Sequence, residues 1–179
     1  KTQSQAFLGT EPVGKLLFRL ALPAIAAQLI NVLYNIVDRV YLGHMKDVGG
    51  LALTGVGVCS PIILIISAFA ALVAMGGAPL ASIELGKQNR EGAERIMGSC
   101  FALQVVLSLV LTAVCLIWNE PLLLLFGASE NTIPYATQYI NVYALGTIFV
   151  QLTLGMNAFI SAQGFAKTSM LTTVIGAVI

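Results

Sequence analysis

Residues 16–42 read LLFRLALPAIAAQLINVLYNIVDRVYL, and the apolar length of this run decides the fold. A helix needs about 20 predominantly apolar residues to cross about 30 Å of hydrocarbon. The run meets that length, yet it carries Gln28, Asn31, Asn35 and Asp38 at steps of three, four and three. At about 100° per residue those steps put the polar side chains on one narrow stripe, with Tyr34 on its flank. Against lipid, each unsatisfied amide or carboxyl would cost on the order of a few kcal/mol. The stripe is therefore expected to line a water-accessible interior.

Outward from this run, further apolar stretches cover residues 51–85, 96–118 and 132–163, and another starts near 168 and runs to 179. The whole chain reads as one all-α transmembrane domain, a polytopic helical bundle over residues 1–179. The stretches 51–85 and 132–163 exceed the minimum span, so tilt, kinks or protrusion are expected, with Pro23, Pro61 and Pro79 as kink positions. Small residues crowd the second stretch, among them Gly55, Ala70, Ala74, Gly76, Gly77 and Ala78. In lipid, close backbone approach at such residues drives helix association.

Composition agrees. Hydrophobic residues make up 58% of the chain and charged residues 9%, with a mean hydropathy of +0.90. A soluble domain carries about a quarter charged residues. The net charge of +1 gives no field that would recruit nucleic acid. Cys59, Cys100 and Cys115 lie in apolar runs without metal-ligand spacing and read as packing residues. The opening run could imitate a secretion signal, but it continues past any cleavage-like site and reads as a retained helix. The chain starts at Lys1 without a methionine and ends at Ile179 inside an apolar run, as a piece of a longer chain would.

Lys and Arg near helix ends set orientation. One side collects Lys1, Lys15, Arg19, Lys87, Arg90, Arg95 and Lys167; the other has only Arg39 and Lys46. The expected arrangement is a multi-pass protein of the cell (inner) membrane with a cytoplasmic N-terminus. Glu84, Lys87, Arg90, Glu91, Glu94 and Arg95 read as a solvated turn with local charge pairs. His44, in the opposite loop, reads as a surface residue.

Asp38 is the acid embedded in a span rather than in a loop, and an intramembrane carboxylate is by default a functional site. Two placements stay open. Asp38 faces a cavity as an ion or proton site, or it ends the helix among headgroups near Lys46, since about 27 Å of helix separates it from Leu20. A second stripe of Tyr139, Tyr143, Gly146, Thr153, Asn157 and Ser161 falls within a narrow arc of the fourth stretch. Tyr139 is either an interface anchor or a cavity residue; Asn157 is expected to face the interior. The candidate ion-coupling set is Asp38, Asn35 and Asn157, and the candidate substrate-cavity set is Gln28, Asn31, Tyr34, Tyr139, Tyr143 and Thr153. No histidine pair at metal spacing, phosphate loop or nucleophile elbow occurs, so no enzyme chemistry or cofactor is expected.

Ordered motifs along the chain sharpen this. They are Leu-Ala-Leu-Pro-Ala at 20–24, Gln28, Tyr34-Asn35-Ile36-Val37-Asp38 and Leu42-Gly43-His44. They continue through Leu85-Gly86-Lys87-Gln88-Asn89-Arg90 with Ala93, Leu125-Phe126-Gly127-Ala128-Ser129, Asn157-Ala158-Phe159 and Ala162-Gln163-Gly164. The set closely resembles the multidrug and toxic compound extrusion (MATE) transporters. The resemblance implies a protein of twelve helices in two six-helix lobes that exchanges Na⁺ or H⁺ for drugs or other organic, often cationic, compounds. It implies that the acidic coupling position of the first helix falls on Asp38, and the polar position of the fourth on Asn157. Na⁺, if it is the coupling ion, would find oxygens on Asp38, Asn35 and Asn157. By the same resemblance this chain supplies about four and a half helices of the first lobe. The second lobe is its missing partner, and the isolated segment is not expected to transport. Two alternatives remain: a lipid-linked saccharide flippase, disfavoured because Arg39 is the only basic residue near the stripe, and a non-transporting scaffold piece.

Overall fold

The computed structural model describes residues 12–46 and 48–178; Lys1 and Ile179 of the sequence reading lie outside them. The helices are α1 (Val13–Gly43), α2 (Gly49–Gly86), α3 (Arg90–Ile117), α4 (Asn119–Leu125), α5 (Ile133–Ala162) and α6 (Ala166–Val178). Four of them, α1, α2, α3 and α5, are long and apolar enough to cross a membrane. At 1.5 Å per residue α2 is about 57 Å long, well beyond the hydrocarbon thickness. Pro23, Pro61 and Pro79 sit inside helices that continue through them.

One sequence expectation needs correcting. The third stretch becomes helical at Arg90, not near 96, because the Asn89 side chain accepts a hydrogen bond from the Gly92 N–H at 3.1 Å. That cap satisfies one of the unpaired amides of the first turn, so Glu91, Glu94 and Arg95 stand on α3 and the turn itself is short. The segment 119–131, which joins the apolar stretches 96–118 and 132–163, begins with the short helix α4, whose Leu123 is fully buried.

The bundle has a trio at its centre. α2, α3 and α5 pack mutually, while α1 rests mainly on α6 and only lightly on α2. One core cluster joins Cys59, Ile62 and Ile66 of α2, Cys115 of α3, Leu123 of α4 and Ala136, Ile140 and Ala144 of α5. A second, toward the other end, joins Ala78 and Ala81 to Phe159. Small residues set these distances. A Cβ on Gly55 would stand 3.2 Å from the Ala136 backbone nitrogen, and one on Gly77 would collide with the Cys100 sulfur.

Polar bonds lock the trio. Gln104 of α3 donates through Nε2 to the Gln151 carbonyl at 2.8 Å and to Gln151 Oε1 at 2.9 Å. Gln151 donates in turn to the Ile66 carbonyl of α2 at 2.8 Å. Thr112 Oγ1 donates to the Ala144 carbonyl at 3.0 Å. Both glutamines are 0% exposed. Bonds of this kind between membrane helices are each worth about 0.6 kcal/mol, up to about 1.7.

Candidate functional site

α1 presents its polar stripe along the edge of its packed face. Gln28, Asn31, Tyr34 and Asn35 are exposed and Asp38 is part-buried. The helix satisfies one amide itself, Asn35 Nδ2 donating to the Asn31 carbonyl at 2.8 Å. Among the described residues Asp38 makes no ion pair with Arg39 or Lys46; three ion pairs stand instead at the α2–α3 junction.

Tyr139 lies within electrostatic reach of Asp38, Tyr34, Tyr143 and Cys59. Tyr139 and Tyr143 stack with ring centroids 6.5 Å apart and planes inclined by 16°. The Tyr143 hydroxyl lies close enough to Ser67 of α2 to interact with it. The Asp38 end of the α1 stripe thus lies within electrostatic reach of the Tyr139–Tyr143 pair of α5. A carboxylate attracts a cation, and aromatic faces add to that attraction when the cation sits over them. Carboxylate, amide and phenol oxygens are also the donor types that a hard monovalent cation takes.

The remaining predicted residues are elsewhere. Asn157 lies eighteen residues beyond Tyr139 on α5, about 27 Å along the helix axis. There it meets α6: Nδ2 donates to Thr173 Oγ1 at 3.3 Å, and Oδ1 accepts from Thr172 Oγ1 at 3.4 Å. Ser161 and Ser169 share a hydrogen bond of 2.8 Å in the same seam. The structure does not bring Asn157 to Asp38, so a single ion shared by Asp38, Asn35 and Asn157 does not fit this arrangement; helical rise separates residues that share a face. Thr153 is exposed between the two clusters.

Sequence reading passed over Gln104 and Gln151. Each belongs to a polar stripe at steps of four that marked it, Gln104, Ser108 and Thr112 on α3 and Tyr143, Thr147 and Gln151 on α5, and two facing stripes on neighbouring spans signal helix-to-helix bonding. Their role here is architectural, since they hold α5 and thereby set where Tyr139 and Tyr143 stand.

Residues 23–179 match the MatE family. The chain belongs to that family. The probable multidrug resistance protein NorM of Pseudomonas putida is 30% identical over 166 residues, which is 92% of this chain and 35% of the relative. The FAD transporter of Shewanella oneidensis is 24% identical over 94% of this chain and 36% of its own length. A crystal structure of MATE in complex with MaD3S superposes with a TM-score of 0.89 at 24% identity, covering 99% of this chain and 39% of that one. The chain therefore has the helical membrane fold of the MatE family, and it spans a little over a third of the length of these relatives. At so low an identity the superposition bears on fold alone.

Proposed function

We propose that this chain forms part of a cation-coupled antiporter that exports drugs or other organic, often cationic, compounds, with Na⁺ or H⁺ bound at Asp38. The observation that carries the reading is the part-buried Asp38 carboxylate on a membrane helix of a MatE-family chain, one turn from Tyr34 and within electrostatic reach of Tyr139. An ion or proton on Asp38 removes its charge, which changes the cost of exposing it to a wet or a dry surrounding. Occupancy then biases one arrangement of the protein over another. Asn35 supplies a second oxygen one turn away. Asn157 contributes at the α5–α6 seam instead, by fixing α6.

The names of the relatives point to different cargo, one a multidrug resistance protein and one an FAD transporter. Among the described residues of α1, Arg39 is the basic residue next to the Asp38 end of the stripe. A multiply charged anion would find few partners there, which favours an organic cation. The Lys and Arg bias supports a cytoplasmic N-terminus and an inner-membrane location. The test is export from proteoliposomes carrying the intact protein under a Na⁺ or H⁺ gradient. Asp38→Asn is expected to abolish gradient-driven export while leaving the fold unchanged. Undiminished export by Asp38→Asn rejects the assignment.

A further inference from the structure

A groove of about 410 Å³ lies between α2 and α3 at the end of the bundle away from Asp38. Leu72, Gly76 and Leu80 form one wall, and Ile96 and Leu103 the other. The large side chains at its rim, Leu72, Leu80 and Leu103, are exposed. Arg95 is the one charged residue of the lining. It gives one N–H to Glu91 at 2.8 Å and its side chain is 79% exposed. A guanidinium has five N–H donors in a planar fork, so most of its capacity faces outward.

We propose that this groove binds one acyl chain of an anionic phospholipid whose phosphate is held by Arg95. Three observations carry it. The first is chemical: an apolar slot closed by a single cation matches an apolar tail joined to an anionic head, and Arg holds phosphate oxygens in a bidentate manner. The second is positional, because the groove lies on two helices that cross the membrane, so acyl chains are its ordinary solvent. The third is shape. Arg95 and Leu103 are eight residues apart on α3, so the groove runs about 12 Å along the helix away from the cation, and a chain whose headgroup sits on Arg95 lies along it. Gly76 deepens the slot, since nothing lies within 4 Å of where its Cβ would be. The inference rests on the bilayer placement and not on the transport reading.

The experiment is native mass spectrometry of the intact protein released from nanodiscs of phosphatidylcholine mixed with phosphatidylglycerol. An arginine near a charged membrane surface gives a roughly fivefold preference for an anionic lipid. Wild type should retain phosphatidylglycerol over phosphatidylcholine by about that factor. Arg95→Gln should lose the preference while still retaining lipid. Gly76→Leu, whose Cβ enters open space and whose branch fills the slot, should retain neither. An unchanged preference in Arg95→Gln, or unchanged retention in Gly76→Leu, overturns the proposal. So does a photo-crosslinking residue in place of Leu72 that captures another part of the polypeptide rather than lipid.

Discussion

Gly155→Ala should destabilise the protein by about 2 kcal/mol, although an exposed helix position would gain about 1 kcal/mol from the same change. A Cβ at residue 155 would stand 2.5 Å from Gln104 Nε2 and 2.6 Å from its Cδ and Oε1. The Gln104 carboxamide must leave, and with it go its two bonds to Gln151. Two such bonds are worth about 1.2 kcal/mol in a membrane protein. Stranding buried amide groups without partners costs about 1–3 kcal/mol more. Gln104 Oε1 already lacks a partner, so no nearby donor offsets the bonds that its amide loses. The measurement is an equilibrium unfolding titration of the intact protein in detergent, run as a double-mutant cycle with Gln104→Ala. The Gly155→Ala penalty should disappear when Gln104 is already truncated, giving a coupling of at least about 1 kcal/mol. A penalty that is equal in both backgrounds, or absent in the wild type, refutes the clamp.

Other changes separate the two polar clusters and the helix ends. Asn157→Ala removes two long bonds to α6 and should cost under about 1 kcal/mol; it should leave ion affinity at Asp38 unaltered in isothermal titration, whereas Asp38→Asn should abolish it. Asn89→Ala deletes the α3 cap and should lower stability by about 1 kcal/mol, measurable as a lowered unfolding midpoint. Arg90→Ala, which breaks an exposed pair with Glu94, should shift that midpoint by less than half as much. In detergent, a small maleimide should label Cys100 far faster than Cys59 or Cys115, which are 0% and 3% exposed; mass spectrometry of the digested protein distinguishes them.

The spans were legible because lipid imposes one length and one composition on any helix that crosses it. The run around Asp38 also announced its polar stripe, since four polar residues repeat at helical spacing. The start of α3 was not legible from hydropathy, because Arg90, Glu91, Glu94 and Arg95 look like a turn. The Asn89 cap and the i,i+4 pairs Arg90–Glu94 and Arg95–Glu91 make them the first turns of a helix instead. The stripe on α5 was legible as an arc but not as two sites. Periodicity records the angle of a side chain about its axis and says nothing of its height, so Tyr139 and Asn157 shared a face while lying at opposite ends of the helix.

Height and bonding together place Asp38 at the boundary between two parts of the bundle. Four of the bonds joining α2, α3 and α5 are 2.8–3.0 Å long, three of them between fully buried glutamines and their partners, and Cys59 and Ser82 add longer ones from α2 to α5 at 3.5 and 3.4 Å. Those joining α5 to α6 lengthen away from the turn at Gly164, from 2.8 Å at Ser161–Ser169 to 3.3 Å at Asn157–Thr173. α1 rests chiefly on α6, so the α1–α6 pair meets the clamped trio across a weaker boundary. A charge shifts a conformational equilibrium only through interactions that differ between the two arrangements. Inside the trio, a carboxylate would keep the same neighbours whichever arrangement the protein took. Asp38 belongs to the pair while Tyr139, its electrostatic neighbour, belongs to the trio, so any movement of one body against the other changes what that carboxylate meets.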